Sequence, residues 1–418
     1  MMTSTTTSEI PPSRIVRFKA HDRLRLALYS HDTMGLGHVR RNLLIAQSLV
    51  HSPLNPVILM LTGAHEANHF SMPEDVDCLT LPSLQKEKNG QYRARHLDIS
   101  LQDLIKLRSH TIGAALDAFQ PDIVLVDNVP RGAVKELDPV LKNFRGRART
   151  RFILGLRDVL DEPAVVEREW KAAGNEEAID DFYDLVLVYG DQHVYDLARS
   201  YSFPDAISRR LRYTGYLDQR ERLRFTSEEL LQVADTLELG SDRLAVCAVG
   251  GGQDGSRLAE AFAQTDLPDG MMGVLLTGPY LPEQSRRRLR SYAANRPKLR
   301  VVDFLPEPAP LLMLADRIVS MGGYNSVLEA LSFEKPTLVV PRVTPRREQI
   351  LRAQRMKDLG LLHLLHPDSL TPSSLADWLR TDHCLPQVRK TIDLNGLSRM
   401  AQLLEPYRAV PYLQRKAL

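Results

Sequence analysis

The stretch "SHDTMGLGHVRRNLLIAQSLV" (residues 30–50) places two glycines, a histidine and two arginines between an apolar run and an amphipathic one. The preceding run, Leu24 to Tyr29, predicts a short strand, and apolar residues recur at helical spacing from Leu43 to Val50. A strand-to-helix turn directs backbone N–H groups outward at the positive end of the helix dipole. The stretch therefore predicts a sugar or phosphate site at a β–α turn.

Strand-length apolar runs alternate with helix-length segments, which predicts parallel sheets covered by helices on both faces. The first series is Leu24 to Tyr29, Val57 to Leu61, Ile123 to Asp127, Arg151 to Gly155 and Leu185 to Tyr189. The second series is Leu244 to Val249, Gly273 to Thr277, Leu299 to Val302, Arg317 to Ser320 and Thr337 to Val340. Each series opens with a strand that runs into a glycine-rich turn. We therefore predict an α/β fold of two doubly wound, Rossmann-like domains that face each other across a cleft.

The chain has 418 residues, more than the roughly 250 to 300 that one hydrophobic core covers. We expect a disordered tail over 1–20, an N-terminal Rossmann-like domain over 21–217 and a C-terminal one over 218–392. Residues 393–418 are expected to form a helix that returns toward the first domain.

The composition is that of a soluble globular protein, with 43% hydrophobic and 25% charged residues. The net charge of +2 does not indicate nucleic-acid binding, and we expect no nucleic-acid partner. Three cysteines without motif partners fit a reducing compartment, and neither a secretion signal nor a membrane-spanning apolar run occurs. We therefore expect a cytoplasmic protein.

His38 is predicted to lie in the first turn of the helix after the first glycine turn, with Arg40 and Arg41 close behind. The positive potential there disfavours the charged ring, so we expect a neutral imidazole. A neutral imidazole in a cleft suits a general base that takes a proton from a hydroxyl or a water. The alternative is a histidine that only caps or packs. His31 and Asp32, in the same loop, are further candidates for orienting it.

The second glycine turn lies in "AVGGGQDGSRLAEAF" (residues 248–262). Gly250 to Gly252 permit positive φ and close approach of a ligand to the backbone. Gln253, Asp254 and Ser256 are candidate caps for the following helix. Consecutive outward N–H groups form a nest suited to a diphosphate, and a tight turn without a ligand is the alternative.

A third glycine turn follows a strand of the second series, and the next helix carries Asn325 and Ser326 at its positive end. There they can meet phosphate oxygens. Glu329, one turn further, can accept hydrogen bonds from a ribose diol. Glu348 and Gln349, after the following strand, supply the polar pair that sugar hydroxyls require.

Residues 33–47, 249–256 and 301–360 resemble GT-B glycosyltransferases, and most closely glycosyltransferase family 28. This family includes the peptidoglycan N-acetylglucosaminyltransferases and the plant monogalactosyldiacylglycerol synthases. The resemblance implies metal-independent transfer of a sugar from a nucleotide diphosphate sugar, UDP-linked in this family, to a hydroxyl acceptor, with no cofactor. The acceptor, which would face the first domain, stays open between a glycan, a lipid and a small molecule. By the same resemblance, His38 would lie near the reacting centre as the candidate catalytic base.

The resemblance also implies roles in donor binding. Phe304 and Leu305 would contact the uracil and Glu329 the ribose, while Glu348 and Gln349 would touch the donor sugar. The glycine turns and the helix that follows the third one would hold the diphosphate. The full set implied for the nucleotide sugar is Gly35, Gly37, Gly250, Gly251, Gly252, Gln253, Phe304, Leu305, Gly322, Gly323, Asn325, Ser326, Glu329, Glu348 and Gln349.

Polar side chains at the ends of first-domain strands and in the first helix are candidates for acceptor binding. For the strand-end pairs the alternatives are a helix cap and an Arg/Asp pair that locks a loop. These candidates are Arg41, Asp127, Asn128, Arg157 and Asp158.

Two further functions stay open. The segment "GLGHVRRNLLIA" is similar to the Gly-x-Gly-His-x-x-Arg turn of a GT-B-like hydrolase that cleaves UDP-linked sugars, and His38 and Arg41 match that pattern. In a hydrolase, water would replace the acceptor alcohol. The other alternative is a non-catalytic nucleotide-sugar-binding protein. Gly252 stands where the family usually has serine and Glu348 where the peptidoglycan enzymes have glutamine, so the donor's identity stays open.

The basic segment "SRRRLRSYAANRPKLR" (residues 285–300) and the basic C-terminal tail are candidates for peripheral contact with the inner face of an anionic membrane. A solvated helix face is the alternative.

Overall fold

The computed structural model describes residues 23–33, 35–87, 91–145, 147, 149–222, 226–251 and 254–408. The tail predicted for 1–20 and the final residues 409–418 lie outside the described residues.

The first lobe is built on a parallel sheet whose central strands are buried on both faces, which explains their continuous apolar sequences. Among the described residues, its strands are β1 (Arg25–Ser30), β2 (Val57–Thr62), β3 (Val76–Thr80), β4 (Leu84–Lys86), β5 (Tyr92–Ala94), β6 (Ile123–Asp127), β7 (Arg151–Arg157), β8 (Leu185–Tyr189) and β9 (Leu211–Tyr213). The helices around it are α1 (Gly37–Val50), α2 (Leu101–Phe119), α3 (Asp138–Phe144), α4 (Pro163–Ala173), α5 (Asn175–Phe182), α6 (Leu197–Tyr201) and α7 (Asp205–Arg210).

The second lobe repeats this plan. Its described strands are β10 (Arg243–Ala248), β11 (Met271–Leu276), β12 (Leu299–Val302), β13 (Arg317–Ser320), β14 (Thr337–Val339) and β15 (His363–Leu364). The helices of this half of the chain are α8 (Gln219–Arg222), α9 (Ser227–Thr236), α10 (Ser256–Gln264), α11 (Glu283–Ala294), α12 (Ala309–Leu314), α13 (Tyr324–Ser332), α14 (Glu348–Asp358), α15 (Pro372–Arg380), α16 (Val388–Thr391) and α17 (Gly396–Leu404). Short 3₁₀ helices cover His65–His69, Pro367–Ser369 and Glu405–Tyr407.

Both sheets have the doubly wound strand order. The first runs β3-β2-β1-β6-β7-β8-β9 and the second β12-β11-β10-β13-β14-β15, while β4 and β5 form a separate antiparallel pair. In each sheet the order reverses beside the first strand, between β1 and β6 and between β10 and β13. Such switch points open a crevice at the carboxyl ends of the strands, where doubly wound folds bind their ligands. The predicted α/β fold of two doubly wound domains is confirmed.

Every strand segment predicted from the sequence overlaps a strand of the structure, and Ile123–Asp127, Leu185–Tyr189 and Leu299–Val302 match to the residue. The strands that the sequence pattern missed are short or lie at the edge of a sheet. Val76 begins the edge strand β3, and the preceding Asp75 pairs with Arg23 at 2.8 Å.

The C-terminal helix α17 packs against α1 of the first lobe, and Leu397 and Met400 share a hydrophobic core with Val39. Gly396 begins α17 where the chain passes close to the end of the first lobe. A Cβ atom at this position would lie 2.6 Å from the carbonyl oxygen of Tyr216, so only glycine fits. The predicted boundary at 217/218 falls between β9 and β10.

A buried ion pair joins the two lobes. The Arg352 guanidinium on α14 donates to both carboxylate oxygens of Asp158, which follows β7, and its Nη2 lies 2.7 Å from Oδ1. Both side chains are only 1% exposed. Tyr324, at the start of α13, donates its hydroxyl to the carbonyl oxygen of Tyr189 on β8 at 2.7 Å. These contacts hold the carboxyl ends of the two sheets face to face.

None of the helices in the described residues combines the length and apolar character needed to cross a membrane.

We expect Asp158→Asn to lower the free energy of unfolding by about 3 to 5 kcal/mol, because it leaves the buried Arg352 charge without its counter-ion. Urea unfolding followed by fluorescence measures the change. The matched control is Glu283→Gln, whose partner Arg287 is 77% exposed, and we expect it to cost less than about 1 kcal/mol. Equal losses of unfolding free energy in the two variants would show that the inter-lobe pair stabilises the fold no more than an exposed ion pair does.

Candidate active site

A cavity of about 590 Å³ lies between the two lobes at the carboxyl ends of both sheets. Its volume is in the range of about 300 to 1,000 Å³ that is usual for small-molecule sites. The first lobe contributes the turn between β1 and α1 and the ends of β6 and β7. The second lobe contributes the turns after β10 and β13 and the loop after β14. The elements on either side of both switch points therefore surround one space.

Most of the residues singled out in the sequence line this cavity. They are Gly35, Gly37, His38, Arg41, Asn128, Arg157, Gly250, Gly251, Phe304, Leu305, Gly323, Asn325, Ser326, Glu329, Glu348 and Gln349. Gly322, Asp127 and Asp158 are not part of the lining. Gly252 and Gln253 lie outside the described residues.

His38 and Asp127 form a pair across the first switch point. His38 lies in the first turn of α1, and its Nδ1 is 2.5 Å from Oδ2 of Asp127 at the end of β6. Because a carboxylate only accepts hydrogen bonds, this contact assigns the proton to Nδ1 and leaves Nε2 as the nitrogen that can accept another. An imidazole oriented in this way, and 21% exposed toward the cavity, can take a proton from a bound hydroxyl or water.

Asp127 lies at the predicted strand end, but it does not line the cavity. Its carboxylate is fully buried and accepts a forked hydrogen bond from Arg41, whose Nε and Nη2 lie 3.0 and 2.8 Å from Oδ1. Burial alone would raise the pKa of Asp127, but the charge of Arg41 and the hydrogen bonds from His38 and Arg41 outweigh it and hold the pKa well below its usual value. The carboxylate therefore stays ionised and positions His38. Neither Asp127 nor the bound Arg41 has a free charge to offer an acceptor.

The loop before α1 has two buried polar side chains, Asp32 and His31. Asp32, with φ of 43°, accepts hydrogen bonds from the backbone N–H of Val39 at 2.9 Å and from the Thr62 hydroxyl at 2.6 Å. One of the amides expected to face a ligand is therefore occupied by Asp32. The His31 ring packs 4.5 Å from the His38 ring, centroid to centroid. Burial, and then the neighbouring His38, hold the pKa of His31 well below its usual value.

The turn after β10 forms part of the second wall. Gly250 has φ of 66°, and the next loop approaches so closely that a Cβ on Gly278 would lie 2.2 Å from the Gly250 carbonyl oxygen. Asp254, predicted as a helix cap, instead accepts a hydrogen bond from Arg342 at 2.9 Å. Arg342 also donates to Glu348 at 2.6 Å, so one arginine links two acidic side chains of this wall.

The N-terminus of α13 meets the N-terminus of α1. The Asn325 side chain donates to the carbonyl oxygen of Gly37 at 2.8 Å. Arg40 donates to Glu329 at 2.6 Å, and the Glu329 carboxylate is 5% exposed. The carboxylate predicted to hold a ribose is therefore paired with an arginine of the opposite lobe in this structure.

Gly322 lies behind the cavity wall, not on it. Its φ of 84° is in the left-handed region, and a Cβ would lie 2.7 Å from a methyl group of Val339. Its carbonyl oxygen accepts a hydrogen bond from Arg352 at 3.3 Å. The glycine is thus required by the backbone of the turn, whereas its neighbour Gly323 lines the cavity.

Asp158 is likewise bound to Arg352 in the inter-lobe ion pair, so its position does not support the prediction that it binds the acceptor.

A second inter-lobe contact was not predicted. Arg346 donates to Asp161 at 3.0 Å, and Arg347 donates to Glu162 at 2.5 Å. These arginines were visible in the sequence only as a basic loop, because their partners lie about 185 residues away.

The second lobe matches a known family. Residues 246–391 match the sequence model described as glycosyltransferase family 28 C-terminal domain. Over these residues the second lobe is similar to glycosyltransferase family 28 C-terminal domains. The family resemblance predicted from the sequence is confirmed in this part of the chain.

Individual relatives agree with this result. The chain is 33% identical over 114 residues to the UDP-N-acetylglucosamine–N-acetylmuramyl-(pentapeptide) pyrophosphoryl-undecaprenol N-acetylglucosamine transferase of Clostridium kluyveri, covering 25% of this chain and 32% of that protein. It spans between about a fifth and a half of the length of such relatives.

Solved structures share the fold over most of the chain. MurG of Acinetobacter baumannii has a TM-score of 0.54 at 14% identity, with 92% of this chain and 99% of MurG covered. The UDP-GlcNAc 2-epimerase of Neisseria meningitidis, bound to UDP-GlcNAc, has a TM-score of 0.56 at 14% identity, with 92% and 99% covered. The family 28 domain and its partner lobe together form a GT-B fold.

The buried His31 predicts a pH dependence of stability. Its folded-state pKa is depressed, whereas an unfolded histidine titrates near about 6.5, so the unfolded chain binds more protons below that pH. The contribution of His31 to the free energy of unfolding is therefore fully present above about pH 6.5. Below this pH it falls by up to about 1.4 kcal/mol per pH unit.

We expect His31→Asn to reduce the loss of unfolding free energy between pH 7.5 and 5.5, measured by urea unfolding at both values. The matched control is His51→Asn, at an exposed position just after α1, which is expected to keep the wild-type pH dependence. The assignment fails if the His31 variant loses as much stability on acidification as the wild-type protein.

Proposed function

We propose that this protein is a glycosyltransferase that moves a sugar from a UDP-linked donor to a hydroxyl acceptor without using a metal ion. The observation that carries the proposal is that His38, positioned by Asp127, lines the same cavity as the glycine turns of the family 28 domain. His38 supplies a proton acceptor, and the glycine turns supply backbone positions suited to a diphosphate.

The proposed donor site lies on the second wall. The N-terminus of α13 and the Gly250–Gly251 turn would bind the diphosphate, because both direct positive potential or backbone amides into the cavity. Glu329 would accept the ribose hydroxyls, with Arg40 displaced from it. Relatives of this chain are named for UDP-N-acetylglucosamine, which supports a UDP-linked donor.

In the proposed reaction, His38 Nε2 takes the proton of the acceptor hydroxyl as its oxygen attacks the anomeric carbon of the donor. The bond from that carbon to the diphosphate oxygen breaks, and UDP leaves with the electron pair. The helix N-terminus stabilises the charge that develops on the departing diphosphate. Asp127 keeps the proton on Nδ1 and stabilises the imidazolium that forms.

The alternative function is hydrolysis of the nucleotide sugar. It is favoured by the Gly-x-Gly-His-x-x-Arg pattern, in which His38 and Arg41 are held together by Asp127. The same base would then act on water. The two functions differ in whether an acceptor is needed for UDP to be released.

The basic helix α11 gives little support for membrane contact. Three of its arginines pair with acidic side chains: Arg287 with Glu283, Arg288 with Glu260, and Arg290 with Asp303. Such pairing favours the solvated helix face that was the alternative interpretation of this segment.

His38→Ala and Glu329→Ala should separate catalysis from binding. We expect Glu329→Ala to weaken UDP binding by about tenfold or more, because a charged hydrogen-bond partner of the ribose is lost. His38→Ala should leave the affinity for UDP within about twofold of the wild-type value and should lower turnover by about 10² to 10⁴-fold. Calorimetric titration with UDP measures the binding, and the opposite order of affinities would contradict the residue assignment.

Release of UDP from UDP-N-acetylglucosamine tests the reaction class. The acceptor to try first is the lipid-linked muramyl pentapeptide named for the relatives, followed by other hydroxyl acceptors. A transferase releases UDP much faster when a suitable acceptor is added. Full turnover with water alone would establish the hydrolase, and binding without turnover under every condition would contradict both.

A further inference from the structure

Five buried polar atoms without hydrogen-bond partners among the described residues belong to side chains that line the cavity: His31 Nδ1, Asn128 Oδ1, Arg157 Nε, Arg342 Nε and Glu348 Oε2. Arg157, at the end of β7, and Glu348, at the start of α14, are a donor and an acceptor of opposite charge from opposite lobes. A buried polar group without a partner carries a desolvation cost that a bound ligand can remove. The pair therefore indicates where a ligand contributes hydrogen bonds.

Arg157 is partly exposed although its Nε is buried, and it differs from the fully buried arginines around the cavity. Arg41 is bound to Asp127 and Arg352 to Asp158, whereas Arg157 has no ion pair among the described residues. Burial lowers the pKa of Arg157, and Glu348 is the acidic group that acts most strongly in the opposite direction. Both side chains line the same cavity, and no hydrogen bond or ion pair joins them in the described part of the chain.

Glu348 is only half satisfied. Its Oε1 accepts a hydrogen bond from Arg342 at 2.6 Å, while Oε2 has no partner in the described part of the chain. The carboxylate is 7% exposed, so water alone does not solvate it freely. Arg342 is shared with Asp254, which keeps this wall from becoming cationic.

The unused atoms define the chemistry of the group that fits between them. Arg157 can only donate hydrogen bonds, and an ionised Glu348 can only accept them. A sugar hydroxyl or an acetamido group both accepts and donates, so it can join the two. A carboxylate would satisfy Arg157 but would be repelled by Glu348.

We propose that Arg157 is a specificity-determining residue for the donor, and that a neutral sugar of the nucleotide sugar bridges Arg157 in the first lobe and Glu348 in the second. This inference rests on the proposed function, because it assigns the sugar end of the same donor. In this arrangement the first lobe takes a direct part in donor selection. The sugar contacts both residues only when the lobes are closed.

Arg157→Gln tests the inference through the difference between UDP and its sugars. Calorimetric titrations use UDP, UDP-glucose, UDP-galactose, UDP-N-acetylglucosamine and UDP-glucuronate. We expect the variant to bind the preferred neutral UDP-sugar about five- to tenfold more weakly, as for loss of a hydrogen bond to a charged group, and UDP within about twofold. We expect Arg157→Lys to recover part of the loss.

Arg287→Gln, on the exposed face of α11, is the control and should leave all affinities unchanged. The melting temperature of Arg157→Gln should equal or exceed that of the wild-type protein, since an unpaired buried charge is removed. This measurement separates a binding effect from misfolding.

Equal losses for UDP and UDP-sugars would overturn the inference, because they would assign Arg157 to the phosphates. Unchanged affinities, or tighter binding of UDP-glucuronate than of every neutral sugar, would overturn it as well. A wild-type protein that binds no UDP would overturn the proposed function itself, and the inference with it. A loss confined to the neutral UDP-sugars supports both.

Discussion

The buried pair between Asp158 and Arg352 is the contact on which the site depends. Two charges that are 1% exposed can be tolerated only if they meet, so the ends of β7 and α14 must lie together. Tyr324 adds to this contact, with the guanidinium groups of Arg41 and Arg352 5.4 and 5.5 Å from its ring centroid. His38 belongs to the first lobe and the turns at Gly250 and Gly323 belong to the second, and this contact brings them into one cavity.

The rest of the site follows from the strand order of each sheet. In the first sheet, His38 and Asp127 lie on opposite sides of the switch point between β1 and β6. In the second, the turn at Gly250 and the start of α13 lie on opposite sides of the switch point between β10 and β13. Both crevices open at carboxyl strand ends and face each other, so that His38 and the glycine turns of the second lobe line one cavity.

The strands and turns could be predicted because fully buried parallel strands have continuous apolar sequences and end in glycine or polar turns. The pairing of the charged side chains could not. Asp127, Asp158 and Glu329 meet arginines that are 86, 194 and 289 residues away in the sequence, and only tertiary packing brings these together. Sequence position placed Asp127 and Asp158 correctly at strand ends but did not show that they would be buried and neutralised.

The most direct measurement is a crystal structure of the protein with UDP-N-acetylglucosamine. Our account predicts the diphosphate between the Gly250–Gly251 turn and the N-terminus of α13, with the ribose on Glu329 and the anomeric carbon facing His38. A nucleotide bound outside this cavity, or a sugar directed away from His38, would contradict the account.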